Sequence, residues 1–340
     1  MRTLHAISAC ILTAISTHAG QITLSGESRL VTERPLAYSN AQRLIRLADG
    51  SHLVLVNRPA PKEPIAIDGD FISTKGASYD ASLRVAHWIP DMLADGTVGQ
   101  IYSAAMSDDH QLLAVSGGWM GRDGRGHNGV FLLRREAQAD FDYWRLTSWF
   151  DVRGMTISEI EFGPGDTLIT TSHEEQPDDG AAPLITVFSF SGQKLGSFIN
   201  GTARSPSSSR LTRIVKTRPS SYAVYDPDNA LLRHVTVELV EKRVEVRQTG
   251  TVPISFPQAK SYLLAFDVLR DGRVAVARTV VQQDRRGQTL VSLLTSEGKV
   301  IEEWRSPRVW RYAYVENHVF RGCYPALDDS SMIVSSVAVK

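Results

Sequence analysis

The chain has 340 residues, 42% of them hydrophobic, and its 37 acidic residues balance its 37 basic residues. The balance leaves no net basic field, which argues against a nucleic-acid-binding protein that depends on attraction to phosphate. The length and the apolar fraction allow one large all-β domain with a sizeable core.

The N-terminus has the pattern of a secretory signal peptide. Arg2 supplies the positive start, residues 4–15 are mostly apolar, and Thr17-His18-Ala19 resembles a small-x-small cleavage site. The apolar stretch is too short to span a bilayer. We therefore expect residues 1–19 to be removed and residues 20–340 to form one secreted or periplasmic domain, with a buried N-terminal helix as the alternative.

The two cysteines are Cys10 and Cys323. Cys10 ends a short segment that resembles a bacterial lipoprotein box, so lipidation there stays open. Cleavage of the signal peptide would remove Cys10 and leave one cysteine, which cannot form an internal disulfide. We expect Cys323 to be a buried strand residue, and a catalytic thiol is the alternative.

A polar turn followed at once by a short apolar strand recurs roughly every 55 residues, which is typical of a radial or linear repeat fold. The turns are rich in Asp, Gly, Ser and Pro. The strands that follow them begin at Leu53, Leu112, Leu168, Tyr222, Val274 and Met332.

Each full repeat has room for four strands, A to D, counted outward from a central channel. The last repeat is short, because only eight residues follow Met332. Extra strand-like segments occur at the other end of the chain, at residues 21–24 and 29–32. We therefore predict a six-bladed β-propeller of four-stranded antiparallel blades, closed by a composite blade that takes strands from both termini and so leaves no open sheet edge.

This repeat texture resembles the broad six-bladed β-propeller superfamily of TolB-type, NHL-type and gluconolactonase-type proteins. The resemblance covers nearly all of residues 20–340 and is architectural. Gluconolactonase-type members hold a divalent cation in the channel through Glu, Asn and Asp side chains. Glu159, Asp267 and Asn317 stand near inner strands of this chain but do not align with that motif, so no ligand set is transferred.

Strand direction separates the two faces of such a ring. The A–B and C–D turns lie on one face, whereas the B–C loops and the links between blades lie on the other. The B–C connections appear long at residues 117–128, 172–183 and 279–288. Long loops on a rigid scaffold commonly carry binding sites, so we predict the site at the long-loop mouth of the channel.

Two of these loops contain the candidate binding residues. The first loop is rich in glycine and offers Trp119, Arg122, Asp123 and His127 as ligand contacts, although the same composition suits a plain flexible loop. It has neither the Walker A spacing nor the oxygen-ligand pattern of a calcium loop.

The second loop offers His173 and Glu174, which would contact a ligand or belong to an ordinary solvated acidic loop. Glu159 and Glu161 alternate with apolar residues on a predicted inner strand and should share one side of it. That pair would be a cation ligand or a general base, or else an ordinary part of a polar channel.

The sequence therefore predicts an exported, monomeric binding module that takes a small molecule, a glycan or a protein partner. We expect no cofactor, no nucleic acid and no membrane span. The alternative is a lactonase-like hydrolase or lyase that depends on calcium or another divalent cation at the channel, with Glu159 and Glu161 as ligands. The sequence contains no Gly-x-Ser-x-Gly motif, no His-Glu-x-x-His motif and no cysteine cluster.

Overall fold

The computed structural model describes most of the chain from Gln21 onward. The described residues are 21–31, 41–46, 52–57, 69–74, 83–88, 96–121, 125–137, 142–152, 154–174, 183–198, 212–241, 243–254, 256, 261–281, 287–326 and 331–340. The predicted signal peptide lies outside these ranges. Across the same ranges, no helix has the length and apolar character needed to cross a membrane.

The secondary structure of the described ranges consists of β-strands joined by turns. In chain order the strands are β1 (Ile22–Val31), β2 (Ala41–Arg46), β3 (His52–Asn57), β4 (Gly69–Thr74), β5 (Leu83–Trp88), β6 (Gly96–Met106), β7 (Leu112–Gly121), β8 (Gly126–Ala137), β9 (Asp142–Asp151), β10 (Met155–Phe162), β11 (Thr167–Glu174), β12 (Ile185–Ser189), β13 (Lys194–Phe198), β14 (Arg213–Arg218), β15 (Ser221–Asp226), β16 (Leu231–Val240), β17 (Arg243–Pro253), β18 (Ser261–Val268), β19 (Val274–Val281), β20 (Gly287–Leu294), β21 (Val300–Arg305), β22 (Tyr312–Glu316), β23 (Val319–Pro325) and β24 (Ser331–Val339).

The strands pair into four-stranded antiparallel sheets. Five sheets use consecutive strands, namely β2–β5, β6–β9, β10–β13, β14–β17 and β18–β21. A further sheet has the order β1-β24-β23-β22, so a strand from the N-terminal region pairs with the last strand of the chain. The protein is an all-β propeller built of four-stranded antiparallel blades, as the repeat pattern predicts.

The second strand of each blade explains why the repeat is visible in the sequence. Residues 274–277 of β19 are fully buried, and so are residues 222–224 of β15. These strands are covered on both faces by neighbouring blades, so they are almost continuously apolar. One hydrophobic cluster shows this packing, because it contains Ala223 and Leu232 of one blade together with Phe266 and Val276 of the next.

The first strand of each blade is innermost and contacts its counterparts in adjacent blades. Strand β10 contacts β6 and β14, strand β18 contacts β14 and β22, and strand β2 contacts β6 and β22. These inner strands line a central channel. Because pairing is antiparallel throughout, the A–B and C–D turns share one face of the molecule.

The C-terminal blade differs from the prediction in the position of its strands. Residues 331–339 form its third strand, not its second, and the N-terminal region supplies one outer strand rather than two. The second strand is β23, which follows the two-residue turn Asn317-His318. Both turn residues have positive φ, at 50° and 62°. The turn was missed because it lacks the Gly, Pro or Asp that marks the other turns.

The predicted loop at residues 117–128 is also wrong. Most of it belongs to strands β7 and β8, which pair residue by residue from Leu112↔Arg134 to Met120↔Gly126. Its glycines suggested a loop because glycine is disfavoured in strands. Gly118 has a packing role instead, since a Cβ there would lie 2.4 Å from the Tyr102 hydroxyl. The absence of a side chain at Gly118 leaves the space that the Tyr102 hydroxyl occupies.

Candidate functional site: a cavity in the central channel

A cavity of about 570 Å³ occupies the central channel. Its lining comes from the inner strands β2, β6, β10, β14, β18 and β22 and from two of the turns that follow them. The lining residues are Ile45, Ala104, Ala105, Met106, Asp108, His110, Glu159, Ile160, Glu161, Arg213, Ile214, Val215, Lys216, Leu264, Ala265, Phe266, Ala313, Tyr314, Val315, Glu316 and Asn317.

The cavity lies toward the mouth of the channel that carries the A–B turns. Asp108 and His110 belong to the turn between β6 and β7, and Asn317 belongs to the turn between β22 and β23. The sequence instead predicts a binding site at the other mouth, from the length of its loops, and that site remains a prediction. The β7–β8 connection there is largely paired strand, and half of residues 279–288 belong to β19 and β20.

Three neighbouring blades form the polar wall of the cavity, defined here as Asp108, His110, Glu159, Glu161, Arg213 and Lys216. The deeper layer of this wall is centred on Glu159, which is 5% exposed. The Ser103 hydroxyl donates to its Oε2 at 2.8 Å, and Arg213 Nη1 lies 3.2 Å from its Oε1. Both carboxylate oxygens therefore have partners, one from the blade on each side.

The outer layer of the polar wall joins the same three blades. Lys216 Nζ on β14 lies 2.6 Å from Asp108 Oδ2 in the turn after β6, and the blade of β10 stands between them. Glu161 belongs to this intermediate blade. Its Oε1 accepts a hydrogen bond from the adjacent Phe162 amide at 2.9 Å.

Glu161 has an unusual electrostatic environment for a carboxyl group. The side chain keeps some exposure, but it is exposed to the channel rather than to the outer surface. Burial raises the pKa of Glu161 to about 7, opposed by the Phe162 amide hydrogen bond and by the charge of Lys216. Near neutral pH this group therefore exists in both protonation states.

His110 completes the polar wall. It adopts a φ of 56° in its turn, where the Asp109 side chain accepts hydrogen bonds from the Ser107 hydroxyl and the Gln111 amide. The buried Nδ1 atom of His110 has no hydrogen-bond partner among the residues that the structure describes. A buried polar atom of this kind usually marks a place where water or a ligand binds.

The opposite side of the cavity is mainly apolar. We define the apolar wall as Leu264, Ala265, Phe266, Ala313 and Val315, which come from β18 and β22. Tyr314 and Glu316 add polar atoms beside it, and Glu316 is paired with Arg321 at 3.7 Å. The cavity therefore has one charged side and one hydrocarbon side.

The glutamate pair does not have the arrangement expected of a metal centre. Both side chains line the channel, but the Glu159 oxygens are already bonded to Ser103 and Arg213, and a guanidinium beside them opposes a bound cation. Within the described ranges, no group of three or more His, Cys, Asp or Glu side chains is placed to hold a metal ion. These residues do not fit a divalent metal site.

The structure does not bring the loop candidates to this cavity. Backbone pairing places Trp119 opposite His127, and His173 opposite Thr156, on the side of the ring that carries the B–C connections. Glu174 pairs with Met155 at the start of β10, the end of that strand farthest from Glu161. Arg122 and Asp123 lie outside the described residues.

His127 belongs to a separate polar group near the opposite mouth. Its Nδ1 lies 3.3 Å from Asp151 Oδ2. The adjacent Asn128 accepts a hydrogen bond from the Tyr102 hydroxyl at 3.3 Å and donates one to Thr156 Oγ1 at 3.4 Å. These contacts link β6, β8, β9 and β10, so the group ties two blades together.

Sequence reasoning missed Lys216, Asp108 and His110 as parts of a site. Asp108 and His110 belong to one of the repeated turns and Lys216 to an inner strand, so none of them forms part of a local motif. A usable signal was present, because charged residues at the ends of inner strands must face a narrow channel.

Comparisons with known proteins bear on the fold of the chain and not on its function. No family model and no curated protein sequence matches the chain. Among solved structures, an α-L-arabinanase from Penicillium chrysogenum complexed with arabinobiose has a TM-score of 0.50 at 12% identity, covering 92% of this chain and 98% of that one. The soluble aldose sugar dehydrogenase from Escherichia coli has a TM-score of 0.46 at 12% identity, with 94% and 99% covered.

BamB from Moraxella catarrhalis has a TM-score of 0.39 at 10% identity, covering 92% of this chain and 99% of that chain. These solved structures are β-propeller proteins. At such low identity a likeness establishes shared architecture, because one fold supports many unrelated functions. The likeness to the arabinanase therefore agrees with the strand topology that the chain is a β-propeller.

Proposed function

We propose that the protein is an exported, monomeric β-propeller that binds a small organic ligand in its central channel, at the mouth formed by the A–B turns. The observation that carries this proposal is the cavity of about 570 Å³ with a charged wall and an apolar wall. Concave sites with a few convergent polar groups are the usual form of a small-molecule site. Export rests on the signal-peptide pattern of residues 1–19.

The proposal includes a closed ring of six blades. The pairing of β1 with β24 supports closure, since it joins the two ends of the chain in one sheet. The contacts of the inner strands also support it, because they run in cyclic order from β2 through β6, β10, β14, β18 and β22 back to β2. A closed ring would keep the channel walls rigid and the cavity preformed.

Filling the cavity tests the proposed function. Ala104 lines the channel and is partly exposed to it, so Ala104→Phe places a ring in the ligand volume. Ala326→Phe adds the same ring next to β23 on the other face, away from the cavity lining. A panel of amines, carboxylates and sugars should contain compounds that raise the melting temperature of the wild type and of Ala326→Phe, but not of Ala104→Phe.

Equal stabilisation of the two proteins would contradict the proposal. If compounds that stabilise the wild type stabilise Ala104→Phe equally, they bind elsewhere and the proposed site is wrong. Far-UV circular dichroism of both variants establishes that each is folded before the melts are compared. A panel without any stabilising compound would also count against a small-molecule site.

A further inference from the structure

Resting on the proposed function, we propose that the ligand is a small organic cation: an amine whose ammonium group binds the Glu161 carboxylate and whose hydrocarbon body lies on the apolar wall. Both parts of such a molecule have a matching surface in one cavity. The inference concerns the class of ligand, so it can fail while the site itself stands.

The charge of the lining favours a cation. Four carboxylate side chains line the cavity, at Asp108, Glu159, Glu161 and Glu316, against the two permanent cations Arg213 and Lys216. Opposite charges are attracted more strongly in a channel of low dielectric than in water. With every carboxylate ionised, and with Arg321 offsetting the Glu316 with which it pairs, these groups carry one net negative charge, which attracts a positive ligand.

The pairing within the lining identifies the acceptor. Asp108 is engaged by Lys216, Glu159 by Arg213 and Glu316 by Arg321. Among the residues that the structure describes, Glu161 has no ion pair, and the amide of Phe162 donates to one of its two oxygens. An ionised carboxylate can accept about four hydrogen bonds, so Glu161 retains acceptor capacity directed at an incoming donor.

The distribution of polar groups argues against other ligand classes. A sugar presents hydroxyl groups all round and would leave several of them without partners against Leu264 and Val315, the partly exposed side chains of the apolar wall, which is costly. An anion would have to displace Asp108 from Lys216 or Glu159 from Arg213 before finding a cation. An amine with an apolar body can pair with Glu161 without displacing either of these pairs, although the charge of Lys216 opposes it in part.

Protonation of Glu161 should control this binding. Burial raises its pKa to about 7, and the charges around it are Lys216 on β14, Asp108 after β6 and Glu159 on its own strand. Burial raises the pKa of Tyr222 on β15, and the charge of Glu161 adds to this effect. A simple primary amine stays protonated well above pH 8, so between pH 6 and 8 the relevant titration is that of Glu161. Its ionised fraction rises about tenfold over this interval.

Three probes with one hydrocarbon body and different head groups test the proposal by calorimetry. At pH 8, 2-phenylethylamine should bind at least about tenfold more tightly than 2-phenylethanol, and 3-phenylpropionate should not bind, because only the amine pairs with ionised Glu161. The amine should lose about tenfold in affinity between pH 8 and pH 6, whereas the alcohol should be unaffected.

Glu161→Gln should weaken amine binding at pH 8 to the level of the alcohol and remove the pH dependence. Glu297→Gln makes the same chemical change at an exposed turn on the same face, outside the cavity lining, and should behave as the wild type. Circular dichroism reports whether Glu161→Gln folds, and the pH dependence of the wild type tests the proposal without it.

Several results would overturn the proposal. One is an alcohol that binds as tightly as the amine, another is an amine affinity that does not change with pH, and a third is wild-type protein that binds no amine. A sugar or carboxylate that stabilises the wild type but not Ala104→Phe would also overturn it while upholding the proposed site. Failure of the proposed site gives a different result: the ligands would stabilise Ala104→Phe and the wild type equally.

Discussion

Two glutamates on one strand show how strongly neighbours determine the role of a residue. Glu159 and Glu161 are the same residue type, two positions apart on β10, and both line the channel. Glu159 is bonded to a serine on one side and an arginine on the other. Within the described ranges Glu161 has no serine or arginine partner, and its burial raises its pKa to about 7. The first is structural, and the second is available to a ligand.

The raised pKa of Glu161 has a consequence for stability. At low pH the carboxyl is protonated in both the folded and the unfolded chain. As the pH rises through about 4.5 the unfolded chain ionises first, so the free energy of unfolding falls until about pH 7, where folded Glu161 ionises too. We expect Glu161→Gln, which stays neutral, to be more stable than the wild type at pH 8 by about 1–3 kcal/mol and similar to it at pH 4.

Urea denaturation at the two pH values measures this difference. Glu238 is exposed on β16, so Glu238→Gln removes a carboxylate without touching the channel and should follow the wild type at both pH values. A Glu161→Gln variant no more stable than the wild type at pH 8 would show that burial does not penalise the charged form.

At the scale of the element, the packing of the hairpin β22–β23 depends on the close contact of a glycine with a tryptophan ring. Trp310 is 1% exposed and is among the largest fully buried side chains of the described ranges. A Cβ on Gly322 of β23 would lie 1.9 Å from the Trp310 ring. The indole therefore packs directly on the strand backbone, and it also contacts Trp304 of the adjacent blade, with 6.1 Å between ring centroids.

Gly322→Ala should therefore destabilise the protein by roughly 2 kcal/mol or more, because neither the ring nor the backbone can move away without disturbing the core. Gly126→Ala is the matched control. A Cβ at Gly126 of β8 meets nothing within 4 Å, so this variant should unfold within about 0.5 kcal/mol of the wild type. Equal denaturation midpoints for the two variants would contradict the packing account.

At the scale of the whole molecule, β1 joins the start of the chain to its end. It pairs with β24 from Ile22↔Val339 to Val31↔Ser331. The preceding blade holds it as well, since the amides of Gln21 and Ile22 donate to the Glu302 carboxylate at 2.7 and 3.3 Å. Without β1, strand β24 would become an open edge.

Deletion of residues 20–31 should therefore lower the melting temperature and promote aggregation. A synthetic peptide of residues 20–31 should restore the melting temperature in a concentration-dependent way, because it binds only the folded chain. A scrambled peptide of the same composition should have no effect. A truncated protein that melts like the full chain would refute closure through β1.

The sequence by itself was sufficient for features that depend on neighbouring residues. The apolar second strands, such as 222–225 and 274–277, and the turns before them indicated four-stranded blades and a β-propeller, because burial between blades imposes a continuous apolar run on each. It also indicated that Cys323 is buried, which the structure confirms. It was less reliable where glycine had a packing role, as at Gly118, or where a turn used unusual residues, as at Asn317-His318.

Only the tertiary structure decided which mouth of the channel holds the candidate site. Lys216 meets Asp108 across 108 positions of sequence, and Glu159 takes its partners from two different blades. Such contacts depend on how the blades pack around the channel, and no local pattern encodes that arrangement. The strands can therefore be predicted from local sequence. The charged and apolar walls cannot, because they form only where the inner strands face one another across the channel.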